Sequence, residues 1–251
     1  MIEVKNVTKK YGGACVVDDV SLKIEKGTIT SFIGPNGAGK TTLLGVISRL
    51  IKHESGRILI EGKEIGDWNS NELAKKISIL KQSNFVSVRL TIRDLVGFGR
   101  FPYSQGNLTT EDEAFIERAI EYLKLSEIQD KYLDELSGGQ RQRAFIAMVV
   151  AQNTDYVLLD EPLNNLDMKH SAEMMKTLRS LVDELGKTVV LVLHDINFAS
   201  CYSDRIIALK NGRLAAQGTI GEMIREEVLE EVFEMKFRIE TIGNQRICIY
   251  F

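Results

Sequence analysis

The stretch GPNGAGKTT, Gly34 to Thr42, decides how the rest of the chain is read. It fits the pattern G-x-x-x-x-G-K-[ST]. In that pattern a glycine-rich turn lets backbone N–H groups cradle phosphates, a lysine reaches the terminal ones and a hydroxyl turns toward magnesium. Gly34, Pro35, Asn36, Gly37, Ala38 and Gly39 form the turn, Lys40 supplies the cation, and Thr41 and Thr42 follow it. The pattern gains its meaning from a strand–loop–helix setting. TITSFI (Thr28 to Ile33) precedes it and reads as a strand leading straight into the loop, and KTTLLGVISRL (Lys40 to Leu50) follows it with helical apolar spacing.

A second glycine-rich helix entrance, DELSGGQRQRAF, lies at Asp134 to Phe145. Ser137 and Gln140 fit the capping box S-x-x-Q, in which the serine accepts a helix-start N–H and the glutamine reaches back. Gly138 and Gly139 are not explained by capping, since each costs a helix about 1 kcal/mol relative to alanine. Their missing side chains let a group approach a helix N-terminus whose dipole favours an anion. A second phosphate contact is the reading, although one nucleotide needs only one cradle.

Outward from these two points the chain alternates elements. IEVKNV, a turn at Gly12-Gly13, VDDVSLKIEKG and TITSFI are expected strands within residues 1–32; SGRILIEGKEI is an expected hairpin, and ISILKQ (Ile77 to Gln82) a buried strand ending at Gln82. From Ser83 to Val150 the apolar spacing turns helical in TIRDLVGFGR, TTEDEAFIERAIEYLKL and GQRQRAFIAMVVAQ. YVLLD, HSAEMMKTLRSLVDEL and TVVLVLHD then resume a strand–helix–strand alternation that implies parallel strands with crossover helices. A charged helix IGEMIREEVLEEVFE and a terminal hairpin close the chain. The expectation is an α/β fold: a phosphate-loop NTPase core with an N-terminal antiparallel β subdomain and an inserted helical lobe of about 83–150, the whole of 1–251 forming one domain.

Asp160 ends an apolar strand and Glu161 follows it. In a phosphate-loop enzyme the first such acid holds Mg²⁺ and the second orients or deprotonates an attacking water. His194 follows the strand TVVLVL, where polar residues of an open parallel sheet line a ligand crevice. Gln82 can reach metal or water, and Tyr11, beside the Gly12 turn, can stack on a base. Two acids capping a helix, a structural histidine and a core tyrosine are the plainer readings of the same residues, and His53 and His170 are read as structural.

The 251 residues are 44% hydrophobic and 27% charged with net charge −3, a poor composition for non-specific nucleic-acid binding. The apolar runs fall far short of the ~20 residues that span a bilayer, and MIEVKNVTKKYG lacks the apolar centre of a signal peptide. Cys15, Cys201 and Cys248 show no pairing pattern and are expected as buried thiols in a reducing compartment, the cytoplasm.

Taken in order, Tyr11, Gly34 to Thr42, Gln82, LSGGQ (Leu136 to Gln140), YVLLDE (Tyr156 to Glu161), LNNLD (Leu163 to Asp167) and His194 resemble the nucleotide-binding subunit of an ATP-binding cassette transporter over nearly the whole chain. The resemblance implies a head-to-tail homodimer in which each ATP is sandwiched between one copy's phosphate loop and the other's Ser137, Gly138, Gly139 and Gln140. It implies Tyr11 stacking on adenine, Lys40 and the loop amides on the phosphates, Thr41, Gln82 and Asp160 serving Mg²⁺, Glu161 as base, His194 as γ-phosphate sensor and Asp167 as an interface residue. LNNLD departs from the more usual TSALD but keeps the aspartate. LTIRDLVGFGRFPY (Leu90 to Tyr103) and DEPLNNLDMKHS are similar to segments of importer ATPases for iron–siderophore complexes, with haem and cobalamin importers as alternatives. That kinship implies two integral-membrane permease subunits, an extracellular binding protein and a place on the cytoplasmic face of the membrane. A soluble cassette acting on nucleic acid or ribosome would instead call for a coiled-coil insertion or a second cassette, and a kinase would leave LSGGQ unused.

Overall fold

The computed structural model describes residues 1–82, 86–164 and 166–250. In chain order the elements are β1 (Ile2–Tyr11), β2 (Ala14–Ile24), β3 (Ile29–Ile33), α1 (Lys40–Ile47), β4 (Ser55–Ile60), β5 (Lys63–Glu64), α2 (Ser70–Ala74), β6 (Ile77–Leu80), α3 (Ile92–Phe98), α4 (Phe101–Ser104), α5 (Thr110–Tyr122), α6 (Gly138–Ala151), β7 (Tyr156–Asp160), α7 (Met168–Asp183), β8 (Thr188–Val192), α8 (Ile196–Tyr202), β9 (Arg205–Lys210), β10 (Arg213–Thr219), α9 (Ile220–Met223), α10 (Glu226–Phe233), β11 (Arg238–Ile242) and β12 (Gln245–Ile249). They form two compact units, residues 1–68 with 181–251, and 69–180.

In the first unit β1 is flanked by antiparallel β2 and β4, with Ile2 opposite Ile24 on one side and Ile60 on the other. Inward residues such as Ile2, Val4, Val20, Leu22, Ile58 and Ile60 are buried, which is the one-sided alternation of an antiparallel sheet. The expected N-terminal antiparallel layer is there. Strands β3 and β8 are buried at every residue and run parallel to one another, as does β9 on the other side of β3. Strands buried along their whole length need cover on both faces. Antiparallel β10 closes the edge beyond β9.

In the second unit β6 pairs parallel with β7, Ile77 opposite Tyr156 and Leu80 opposite Leu159. The strand ends at Leu80, so Gln82 is not the last residue of a buried strand but an exposed one beyond it. Helices α3, α5 and α6 pack on one another through Ile92, Leu95, Val96, Ile116, Ala119, Ile120, Ala144 and Ala147. Each starts with a capping box, Thr91 with Asp94, Thr109 with Asp112, and Ser137 with Gln140. Gly99 lets the chain after α3 lie against α6, for a β-carbon there would stand 2.1 Å from the Met148 carbonyl oxygen. Residues 83–85, the start of the expected helical stretch, lie outside the described residues.

The cysteine expectation needs correcting: Cys248 is buried and Cys201 half-buried, but Cys15 is exposed, and none forms a disulfide. Burial pushes the Cys248 thiol up to about 11. The charged tail forms two helices, α9 and α10, separated at Ile224–Arg225. Among the described residues no helix is long and apolar enough to cross a membrane.

Candidate functional site

The phosphate loop hangs between β3 and α1, and its glycines answer to two separate demands. Gly34 and Gly39 adopt φ of 136° and 95°, and a β-carbon on them would stand 2.0 Å from the Leu209 and 2.4 Å from the Val16 carbonyl oxygen. Gly37, at φ 78°, faces open space, so only its backbone conformation requires glycine. Helix α1 starts at Gly39 with no side chain capping its first turn. Its opening N–H groups and positive dipole end are therefore suited to an anion lying within the loop. Lys40 is 5% exposed, and its Nζ donates to the Gly34 and Pro35 carbonyl oxygens at 2.7 and 2.9 Å. Thr41 is exposed beside it.

Two more expected residues lie in the same unit. Leu193 N–H donates to the Phe32 oxygen at 3.1 Å, which carries exposed His194 off the sheet at the end where β3 enters the loop. Tyr11 ends β1 opposite Ala14 across a turn of two left-handed glycines, Gly12 and Gly13. Its ring is 48% exposed, with the Lys9 ammonium 4.9 Å from the centroid. The plain reading of Tyr11 as a core residue is excluded.

The second unit gathers the acids. Asp160, 4% exposed, ends buried strand β7, and Glu161 turns away from it at φ 51°, a left-handed conformation rare for a side-chain-bearing residue. Its Oε2 accepts from Gln82 Nε2 at 2.6 Å and also from Asn164 Nδ2. The fold thus brings together Gln82 and Glu161, 79 residues apart in sequence. Among the described residues no group of three or more His, Cys, Asp or Glu could hold a metal. The buried Asp160 carboxylate is a hard oxygen donor of the class that Mg²⁺ takes, an ion that needs only one or two carboxylates beside water and phosphate oxygens.

The LSGGQ segment adopts the expected box: Gln140 N–H donates to Ser137 Oγ at 3.3 Å and Ser137 N–H to Gln140 Oε1 at 3.0 Å. A β-carbon at Gly139 would meet Leu166 and the His170 ring at 3.5–3.8 Å, ordinary contact. Packing within this chain does not demand glycine there. Asp167 has a local task that the sequence reading lacked: its Oδ1 accepts the His170 N–H and pairs with His170 Nδ1, both at 2.8 Å, and these bonds hold its carboxyl below the usual range. The sequence reading also passed over Asn164 and Gln142, the latter donating to the Pro162 oxygen at 3.0 Å. Asn165, also part of LNNLD, lies outside the described residues.

The sequence model of the ABC transporter family matches residues 17–164, more than half of the chain. This chain belongs to the ABC transporter family. It is 66% identical over 251 residues to the petrobactin import ATP-binding protein YclP of Bacillus subtilis (strain 168), all of both chains being covered. It is 37% identical to the ferric enterobactin transport ATP-binding protein FepC of Escherichia coli (strain K12), over 94% of this chain and 88% of that one. Among solved structures, the dimeric structure of MJ0796, a bacterial ABC transporter cassette, superposes with TM-score 0.77 at 36% identity, covering 88% of this chain and 99% of that chain. The chain is thus an ABC cassette, a nucleotide-binding ATPase.

Proposed function

We propose that this chain is the ATP-hydrolysing subunit that energises import of an iron–siderophore complex, and that it works as a head-to-tail homodimer peripheral to the cytoplasmic face of the membrane, as a single cassette domain. The observation that carries the catalytic part is Glu161, aimed by a left-handed backbone and held by Gln82 one residue after the buried Asp160. Lys40 and the uncapped start of α1 bind the phosphates, and Tyr11 stacks on the base. Ser137 to Gln140 serve the nucleotide of the other copy, a reading favoured by a glycine at 139 that this chain's packing does not need. Thr41, Gln82 and Asp160 are the magnesium ligands in this reading; when bound, Mg²⁺ neutralises charge on the transferred phosphoryl group. Glu161 takes the proton of the attacking water, and His194 senses the γ-phosphate.

The cargo follows from kinship with petrobactin and enterobactin transport proteins. The permease pair meets the aromatic patch after α3, where Phe98 and Phe101 are 54% and 58% exposed. An extracellular binding protein delivers the chelate, and no nucleic acid takes part. The test is Glu161→Gln, expected to bind MgATP and accumulate as an ATP-bound dimer on size exclusion while turnover falls about 10²–10⁴-fold. Wild-type turnover would remove Glu161 as base. Uptake of labelled ferric siderophores, haem and cobalamin by a deletion strain decides the cargo; loss confined to haem or cobalamin would replace the iron–siderophore reading.

A further inference from the structure

The turn after β7 reads Glu161-Pro162-Leu163-Asn164. Asn164 N–H donates to the Glu161 carbonyl oxygen at 3.2 Å, closing a four-residue turn with proline at its second position, where a preset φ favours it. The closure brings the Asn164 amide back over the Glu161 side chain, and its Nδ2 donates to Oε2, the oxygen that also accepts from Gln82. The turn is braced from outside as well: Gln142, two positions beyond Gln140 on α6, donates to the Pro162 carbonyl oxygen at 3.0 Å. Gln82, Gln142, Glu161 and Asn164 all belong to residues 69–180.

We infer that Asn164 is a positioning residue for ATP hydrolysis: its amide fixes the plane and direction of the Glu161 carboxylate, and Gln142 holds the turn that carries both. Asn164 touches neither nucleotide nor water in this scheme, and it acts through Glu161. The inference rests on the reading of Glu161 as base. A glutamate with three side-chain torsions sweeps a wide volume unless something local restrains it, and a misplacement of about 1 Å in a reacting group can cost about 10²-fold in rate. Gln82 alone is a weak restraint, because it enters from an exposed segment beyond β6 and is itself assigned to the metal. Asn164 is fastened to the same turn as the base and stays with it. Gln142 further links the helix that begins at Ser137 to the backbone beside the base, so α6 is mechanically joined to the hydrolytic turn.

The experiment measures kcat and KM for MgATP on the purified full chain and four variants. Asn164→Ala is expected to lower kcat by about 10- to 100-fold with KM within about twofold of wild type, because phosphate binding is untouched. Asn164→Ser, which keeps a short donor, is expected to recover part of that loss. Asn164→Asp, which keeps the shape but sets a carboxylate against Glu161, is expected to recover none. Glu161→Gln runs beside them. If it is inactive while Asn164→Ala and Asn164→Asp turn over within twofold of wild type, the positioning role is wrong and the base assignment stands. If Glu161→Gln itself turns over normally, the base assignment fails first. Should Asn164→Ala fold poorly, the isosteric aspartate variant decides, its melting temperature and MgATP affinity measured alongside; a kcat loss matched by lost affinity or a lowered melting temperature overturns the inference.

Discussion

Gly34 and Gly139 show how differently one residue type can be constrained. Gly34 combines a left-handed φ of 136° with a carbonyl oxygen 2.0 Å from where a β-carbon would stand, so alanine there must displace β9 or the loop. Gly34→Ala is expected to lower the melting temperature, at a cost above ~1 kcal/mol, and to abolish ATP binding. Gly139→Ala is expected to melt within a degree or two of wild type yet lose nucleotide occlusion; the two melts and an occlusion assay in the Glu161→Gln background check the contrast. A thermal loss at Gly139 equal to that at Gly34 would mean that packing within the chain, and not the other copy's nucleotide, keeps glycine there. The sequence made both glycines visible as motif letters, but it could not rank them, because the Leu209 oxygen that constrains Gly34 lies 175 positions further along the chain. Asn164 was overlooked for a related reason. Asparagine in a polar loop looks unremarkable until the turn closes and returns its amide to Glu161.

Helices α3, α4, α5 and α6 meet around a buried ion pair. Arg100, 3% exposed, donates from Nε to Asp112 at 2.9 Å and from Nη1 to the Ala151 oxygen at 2.9 Å, and its guanidinium lies 3.9 Å from the Tyr103 ring centroid. Arg100 lies within LTIRDLVGFGRFPY, yet it is buried in the core of the helical unit, and the exposed aromatic surface of that segment belongs to Phe98 and Phe101. Arg100→Glu is expected to destabilise the fold by about 3–5 kcal/mol through an unpaired buried charge. Phe98→Ser with Phe101→Ser should melt normally while permease co-purification and siderophore uptake fall. Denaturation melts and pull-down separate the two, and retained uptake in the double serine variant would move the docking face elsewhere. The Thr109 N–H, chiefly, and Arg100 hold the Asp112 carboxyl below its ordinary range. The folded value is depressed, so this stabilisation is complete above the unfolded carboxylate value of about 4 and is lost as pH falls toward the folded one. Asp112→Asn should accordingly be less stable at pH 7 and show a shallower loss of stability below pH ~4. Helix periodicity was legible in this unit, as was the Ser137–Gln140 cap; the caps at Thr91 and Thr109 were not read from it. Which arginine points inward was not, since that depends on the close approach permitted by Gly99. Likewise the two tail helices separate at Ile224–Arg225 without a proline or glycine to announce it.

At the scale of the whole molecule, the two glycine-rich helix starts give the proposed head-to-tail pairing its test. In a covalently linked dimer, Lys40→Ala in one half and Gly139→Asp in the other should leave one composite site able to occlude ATP, whereas both changes in the same half should leave none. The readout is occluded nucleotide in the Glu161→Gln background, and occlusion only in the second arrangement would end the head-to-tail reading. Motif order carried this proposal from the start; the loop's interior was beyond it, because nothing in GPNGAGKTT says that the lysine folds back on the turn that precedes it. Lys40 Nζ donates to the Gly34 and Pro35 carbonyl oxygens. The loop is thereby laced shut on itself, its one ammonium sewn to the backbone at its opposite end. Whatever shifts Gly34 or Pro35 tugs the positive charge along with it, so the cradle and its cation travel as a single piece.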